Sequence, residues 1–392
     1  MAIGTRRDAQ RGFAPYIVIV SDNPFEGMFG DIFNILGQQG PNAWFETATQ
    51  LALNIARGTD GDPNPLPIER QRLEELAPLV GRHVDALFGV ASEPALIAVN
   101  RSALASAALA QWRPLIEPLV AVPSALGESL DPGDNPMMAQ MVATLGPLFT
   151  GFQMGSVAGH FCERAWSLAV LPLPREDKSR LIAVNNLASF AEAWSLERDE
   201  VYVFALAQEF VASLILTQPG TGDALRALLI DAVREATNAQ GDLLTRLQSM
   251  VNPEDLSSFM ANPEALLDGI ELPEETDATR AINAAASVLS AFFDAAAREI
   301  TEAILGPRPA LVEAYRRHRR SDARGEDAAA ALFGISNQGP HHELANEFVT
   351  SLQREHTLGV FDALLRVDGL PSAPELSDPG AWYERITSSP LA

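Results

Sequence analysis

The stretch SLERDEVYVFALAQEFVASLILTQP, residues 195–219, predicts the element around which the chain is organised. It is typical of one long helix, with Ser195 as the N-cap and Pro219 as the residue that ends it. Nearly every side chain from Val201 to Leu216 is apolar. A helix that is apolar on all sides is expected to be enclosed by other helices. The stretch therefore predicts a central, buried helix.

Glu209 is the one acidic residue in the apolar part of this helix. An ionised carboxylate in such surroundings is costly unless it is paired. We therefore expect Glu209 to have a partner, a raised pKa or a catalytic role. The segment is also too short, and charged too near its middle, for a membrane span of about 20 apolar residues.

Composition narrows the classes of protein that the chain can represent. Of its 392 residues, 47% are hydrophobic, 28 are Lys or Arg and 51 are Asp or Glu, which gives a net charge of −23. A chain this acidic is expected to repel nucleic acid and anionic membrane surfaces. Cys162 is the only cysteine, so no intramolecular disulfide can form. These features, with no secretory signal at the N-terminus, predict a cytoplasmic protein.

The pattern of helical segments predicts a mainly α fold, a multi-helix bundle around one central buried helix. The Ile/Val-rich run at residues 15–20 allows one short N-terminal strand. We expect an arm over residues 1–22, disordered or extended, and a helical domain over residues 23–392. The loop-forming stretches at 58–67 and 126–136 could subdivide that domain. Helices are predicted, among others, at 68–87, 93–111, 112–119, 181–194, 278–305, 309–320 and 341–366.

Gly151, Gly155 and Gly159 recur at every fourth position of a further predicted helix. Such a stripe of small residues lets a second helix approach closely. We expect the central helix to be that partner.

Five stretches of the sequence, taken together, carry a family resemblance. They are GPNAWFETATQLALNIA (40–56), SALASAALAQWRPLIEPL (102–119), GSVAGHF (155–161), NNLASFAEAWSLERDEVYVFALAQE (185–209) and LVEAYRRHRR (311–320). In this order and spacing the chain resembles the zincin-like metallopeptidase type 2 family of actinobacteria, some of whose members are described as hydrolases. The resemblance extends from about residue 23 to about residue 390.

The resemblance implies a zinc site on the central helix. Family members that look most like peptidases carry H-E-x-x-H there, in which two His at i and i+4 hold zinc and the Glu activates its water. Here the five residues are Gln208, Glu209, Phe210, Val211 and Ala212, so only the glutamate remains. A later E-G-x-x-x-H-like segment of the family falls on Ser290 and Ala295. We therefore predict no zinc in this chain.

A basic cluster formed by Arg316, Arg317, Arg319 and Arg320 stands out in the acidic chain. It could bind the carboxylates of a protein partner. The alternatives are a solvated helix C-terminus, where cations suit the helix dipole, and an internal docking site for an acidic helix.

His342, Glu343 and Asn346 imitate H-E-x-x-H, but Asn is a poor zinc ligand and the segment is predicted to start a helix, where side chains are usually solvated. We expect these three residues to have a structural role and not to bind a metal.

Taken together, the sequence predicts a catalytically inactive, metal-free relative of the zincin-like family, a pseudoenzyme that binds an unknown protein partner. The alternative is a hydrolase in which Glu209 is the general base and a metal is held by ligands from elsewhere, such as His160 or His83.

Overall fold

The computed structural model describes residues 43–59, 61–90, 96–129, 136–239, 276–321, 324–336 and 340–388. The chain divides into two compact units, Met1–Ala43 and Trp44–Ala392. The described part is almost entirely the second unit, and it is mainly α-helical, as predicted. The predicted arm at 1–22 and its strand at 15–20 lie outside the described residues.

The elements of the described residues are named here in chain order. The helices are α1 (Ala43–Arg57), α2 (Pro67–Phe88), α3 (Arg101–Ser129), α4 (Pro136–Arg164), α5 (Val184–Ala193), α6 (Arg198–Leu216), α7 (Pro219–Ala239), α8 (Asp277–Leu305), α9 (Pro309–Arg320), α10 (Arg324–Leu332), α11 (Pro340–His356) and α12 (Pro379–Ser388). The strands are β1 (Leu96–Val99) and β2 (Arg180–Ala183), and short 3-10 helices cover Leu168–Val170, Leu358–Leu365 and Pro374–Ser377.

Helix α6 is the predicted central helix, and it is buried. From Glu200 to Leu216 every side chain except Leu214 is buried. The helix begins at Arg198, and its N-cap is Glu197, so the prediction of Ser195 as the N-cap is wrong. Ser195 instead adopts a left-handed backbone, with φ of 53°, in the turn after α5. The apolar composition of the segment therefore predicted correctly that the helix is buried. It did not predict the residue at which the helix begins, because the backbone turn at Ser195 lies before that residue.

The most extensive contact of α6 is with α8, a 29-residue helix rich in alanine. Alanine favours the helix and keeps its surface flat, so two helices can approach closely over many turns. At the amino end of α6, Asp199 pairs with Arg72 of α2, and Glu200 pairs with Arg308 at 3.0 Å. These ion pairs sit at the positive end of the helix dipole, where acidic residues stabilise a helix.

The glycine stripe of α4 packs against α1, so the prediction that it meets the central helix is wrong. A Cβ atom on Gly151 would lie 2.5 Å from the carbonyl oxygen of Trp44, and one on Gly155 would lie 2.6 Å from that of Ala48. A Cβ atom on Gly159 would lie 2.6 Å from the side-chain Cβ of Ile55 and 3.2 Å from the carbonyl oxygen of Ala52. Glycine is needed there because the α1 backbone occupies the space of a side chain.

Two short strands replace the starts of two predicted helices. β1 lies in the segment predicted as helix 93–111, and β2 overlaps the start of predicted helix 181–194. They pair in parallel, with Leu96 opposite Arg180 and Val99 opposite Ala183. The Ala183 N–H also donates to the carbonyl oxygen of Trp166 at 2.7 Å. A strand of four residues is too short to show a clear alternation of apolar and polar side chains. The hydrophobic periodicity of the sequence therefore did not predict these two strands.

Among the described residues, no single helix is long and apolar enough to cross a membrane. Helices α6 and α7 meet the length and composition requirement only as a pair, and that pair is bent by 83°.

Candidate functional site

The degenerate motif residues lie in the middle of α6, in the core of the unit. Gln208 and Ala212 are about one helical turn apart and so share a face, while Glu209 is turned by about 100° from Gln208 and by about 60° from Ala212. Gln208 is 6% exposed, and Glu209 and Ala212 are fully buried. The three side chains therefore meet protein groups on two sides of the helix.

Glu209 forms a buried ion pair with Arg175. Nη1 of Arg175 donates to Oε1 of Glu209 at 2.5 Å, and Nη2 donates to Oε2 at 3.2 Å. The side chains of Arg175 and Glu209 are 2% and 0% exposed. This two-pronged geometry satisfies both carboxylate oxygens and is the strong form of an Arg–carboxylate contact. The partner that the sequence required for Glu209 is thus an arginine.

Arg175 is held in place from the loop between the Leu168–Val170 turn and β2. Its backbone N–H donates to the carbonyl oxygen of Leu216 at 3.0 Å, which satisfies one of the free carbonyls at the end of α6. A few residues further on, the guanidinium of Arg180 stacks on the ring of Phe210, 4.5 Å from its centroid. Both arginines bring a positive charge to the carboxyl half of α6, where the helix dipole favours it.

Gln208 belongs to a second polar group, with Asp294 of α8 and Tyr315 of α9. Its amide Nε2 donates to Oδ1 of Asp294 at 2.5 Å and to the Tyr315 hydroxyl at 2.7 Å. The Tyr315 hydroxyl donates to the same Asp294 oxygen at 3.2 Å. Burial raises the pKa of Asp294 and also that of Tyr315, on which the Asp294 charge adds to the effect. The amide is therefore committed to protein partners.

The basic cluster of α9 is divided between two environments. Arg316 and Arg317 are exposed and pair with Glu313 of the same helix, and Arg320 is exposed as well. The side chain of Arg319 points inward and is 14% exposed, 3.9 Å from Glu326. Burial opposes the charge of Arg319, but Tyr315, Glu326 and Asp294 outweigh it and raise its pKa.

Of the two later motif positions, Ser290 of α8 lies near this arginine. Ala295 is buried, and Ser290 lines a small depression between α8, α9 and the start of α11, which we call the recess. The recess encloses about 200 Å³, counting the part open to solvent, and it is too narrow to admit a water molecule. It is lined by Ala286, Ser287, Ser290, Arg319, Ile335, Ser336 and His342.

The histidines named by the sequence bond groups other than Glu209. His160 pairs with Glu163 at 3.1 Å on α4, and Nδ1 of His83 donates to the carbonyl oxygen of Leu79 at 2.9 Å. His342 lies in the first turn of α11, half-buried, and not solvated as expected for a helix start. Burial lowers the pKa of His342, and Arg319 and Arg320 lower it further.

Comparison with known proteins establishes the family. Residues 44–383 match the family described as zincin-like metallopeptidase, and this chain belongs to it. A solved structure described as "Crystal structure of a putative hydrolase with a novel fold from Chloroflexus aurantiacus" is similar, with a TM-score of 0.60 and 15% sequence identity. The match covers 88% of this chain and 98% of that one, and at this identity it shows a shared fold. No match was found among curated proteins.

The residues onto which the resemblance places the family's metal motif do not fit a zinc ion. Zinc in proteins takes three or four ligands from Cys, His, Asp and Glu. Here Ala212 and Ala295 carry methyl groups, the amide of Gln208 is committed to Asp294 and Tyr315, and Glu209 is committed to Arg175. Across the described residues, no group of three or more His, Cys, Asp or Glu side chains could hold a metal.

Several residues that define this site were not found from the sequence. Arg175 lies in the loop before β2 and Arg180 is the first residue of that strand, while Asp294 and Tyr315 lie on helices remote in sequence from α6. The one usable signal was physical: a glutamate in an apolar helix needs a partner. That requirement predicts that a counter-charge exists, but it does not say where in the chain.

Proposed function

We propose that this chain is a metal-free, catalytically inactive member of the zincin-like metallopeptidase family, which acts as a protein-binding scaffold. The observation that carries the proposal is the ion pair between Glu209 and Arg175. In a zincin the glutamate must reach a metal-bound water. Here both of its oxygens receive hydrogen bonds from a buried guanidinium.

The replacement of the other motif residues supports the same proposal. Gln208, in the place of the first histidine, ties α6 to α8 and α9 through Asp294 and Tyr315. Ala212, in the place of the second, is packed in the core. Polar groups of a former metal site have become structural cross-links, which is how buried polar groups are normally stabilised.

The surface best placed to bind a protein partner lies on α9. Arg316, Arg317 and Arg320 are exposed on a helix that Leu311, Ala314 and Tyr315 anchor to the core. Arginine suits recognition of carboxylates because its planar fork binds them in a bidentate way. The partner that this surface would suit is therefore an acidic protein segment.

A binding experiment tests the scaffold role. We expect the Arg316→Glu/Arg317→Glu variant to lose binding to acidic peptides in an arrayed peptide library, while it keeps the far-ultraviolet circular dichroism of the wild type. Asp231→Lys, a charge change on α7, serves as the control. Equal binding by the double variant and the wild type would remove this surface from the proposal.

The alternative function is a hydrolase with Glu209 as the general base. It is tested by a broad peptidase screen of the wild type and of Glu209→Gln, each with and without added zinc. The proposal predicts no turnover above that of the buffer for either protein. Turnover by the wild type that disappears in Glu209→Gln would favour the hydrolase.

A further inference from the structure

A proline-rich segment leads into α2 along the surface of the protein. Its sequence from Asp62 to Pro67 is DPNPLP, and it is neither helix nor strand until α2 begins at Pro67. Each proline fixes its own φ at about −65°, and a residue that precedes a proline avoids the helical conformation. Leu66 has φ of −64° and ψ of 146°, which are typical of a polyproline II helix. We call residues 62–67 the proline strap.

Burial along the proline strap follows the period of a polyproline II helix, which has about three residues per turn. Asp62 is half-buried and Pro65 is buried, so these two positions define an edge that faces the protein. Pro63 and Leu66, which are likewise three residues apart, are exposed, and Leu66 is 59% exposed. Ile68, in the first turn of α2, is 67% exposed. The strap therefore presents an apolar edge to solvent, with a further apolar side chain just beyond it.

Hydrogen bonds hold the proline strap against the start of α3 and the end of β2. The carboxylate of Asp62 accepts from the backbone N–H groups of Arg101 at 3.0 Å and Ser102 at 2.7 Å. The carbonyl oxygen of Pro63 accepts from the side-chain amide of Asn185 at 2.8 Å. These bonds use the inward edge and the backbone, so they do not account for the apolar outward edge. They do fix its conformation, and a segment that is ordered before binding loses little conformational entropy when it binds.

We propose that the proline strap is a docking segment for a partner domain with an aromatic-lined groove that binds polyproline II. Such grooves take the apolar edges of a segment whose conformation is already formed. Arg70, in the first turn of α2, is exposed and has no ion pair with the described residues. An acidic residue at the rim of the groove would therefore complement this end of the strap, although the chain as a whole is acidic. This surface goes beyond the proposed function, because it depends neither on α9 nor on the loss of zinc.

Binding of the full-length protein to purified recognition domains tests the proposal. The probes are a panel of SH3, WW and EVH1 domains, which bind polyproline II segments in aromatic-lined grooves. We expect saturable binding by at least one domain of the panel in biolayer interferometry. An excess of that domain's own proline-rich peptide should displace the protein, and replacing a groove tryptophan or tyrosine of the domain by alanine should abolish binding. The proposal is overturned if no domain of the panel binds, or if the peptide does not compete.

Variants of the chain place the binding on the proline strap. Leu66→Asn removes the apolar side chain and supplies a favoured N-cap for α2, so it should fold as the wild type does and weaken binding at least tenfold. Pro63→Ala and Arg70→Gln should each weaken binding severalfold, through lost preorganisation and a lost ion pair. Val367→Ser, at a position that is 71% exposed, and Arg354→Gln, on the exposed surface of α11, are matched controls and should bind normally. Equal binding by Leu66→Asn and the wild type, or an equal loss in Val367→Ser, would also overturn the proposal.

Discussion

Replacing Glu209 by glutamine should strongly destabilise the protein, because it breaks an ion pair that lies wholly in the core. The substitution keeps the size of the side chain and removes its charge. Arg175 is then left as a guanidinium with 2% of its side chain exposed and no counter-charge on α6. Breaking a buried ion pair from one side costs about 3–5 kcal/mol, since the remaining charge stays buried. Urea unfolding followed by tryptophan fluorescence measures the change in the free energy of unfolding.

A matched control and a rescue make this prediction specific. Glu163→Gln removes the same charge from a pair in which Glu163 is 42% exposed, and it should cost no more than about 1 kcal/mol. The double variant Arg175→Met/Glu209→Leu replaces the pair by apolar side chains and should recover most of the lost stability, because buried ion pairs are often replaceable in this way. This explanation is refuted if Glu209→Gln is as stable as the wild type or more so, or if the double variant is no better than the single one. Retained stability would mean that Glu209 is held for chemistry and not for the fold.

Two further predictions concern packing and pH. Gly155→Ala should lower the free energy of unfolding by about 1–3 kcal/mol, because its Cβ would lie 2.6 Å from the carbonyl oxygen of Ala48. Gly222→Ala, whose Cβ would meet nothing nearer than 3.5 Å, should be neutral or mildly stabilising in the same urea experiment, and equal losses in both would contradict the packing argument. His318 has its pKa lowered to about 4 by burial and by Arg164 and Arg319, and Arg164 donates to its Nδ1 at 3.1 Å. Between about pH 6.5 and 4 the unfolded chain therefore binds a proton that the folded chain does not, so stability should fall as the pH is lowered through this window, by at most about 3 kcal/mol. His318→Asn should show a shallower loss, and an unchanged slope of stability against pH would exclude His318 as the source.

The sequence predicted the parts of the fold that depend on composition. The apolar run of residues 201–216 requires burial whatever surrounds it, and α6 is indeed the buried centre. Helix periodicity likewise located α8 within a residue of its observed start. These features follow from local physics, namely helix propensity and the cost of exposing apolar surface.

Pairings between distant residues were beyond the sequence. The stripe of Gly155 and its neighbours predicted a close helix contact correctly but not which helix, because a small-residue surface fits any partner. Strands β1 and β2 each have four residues, and their register depends on segments more than 80 residues apart. The partner of Glu209 was required by electrostatics, yet Arg175 could be chosen only once the loop before β2 was placed against α6.

Metal content of the purified protein decides whether the former motif helix has become purely structural. The protein is purified without chelator, exchanged into zinc-containing buffer, dialysed and measured by inductively coupled plasma mass spectrometry. We expect much less than one zinc per chain, with no difference between the wild type and Glu209→Gln. One zinc per wild-type chain that resists dialysis and is lost in Glu209→Gln would show that the helix still serves a metal site.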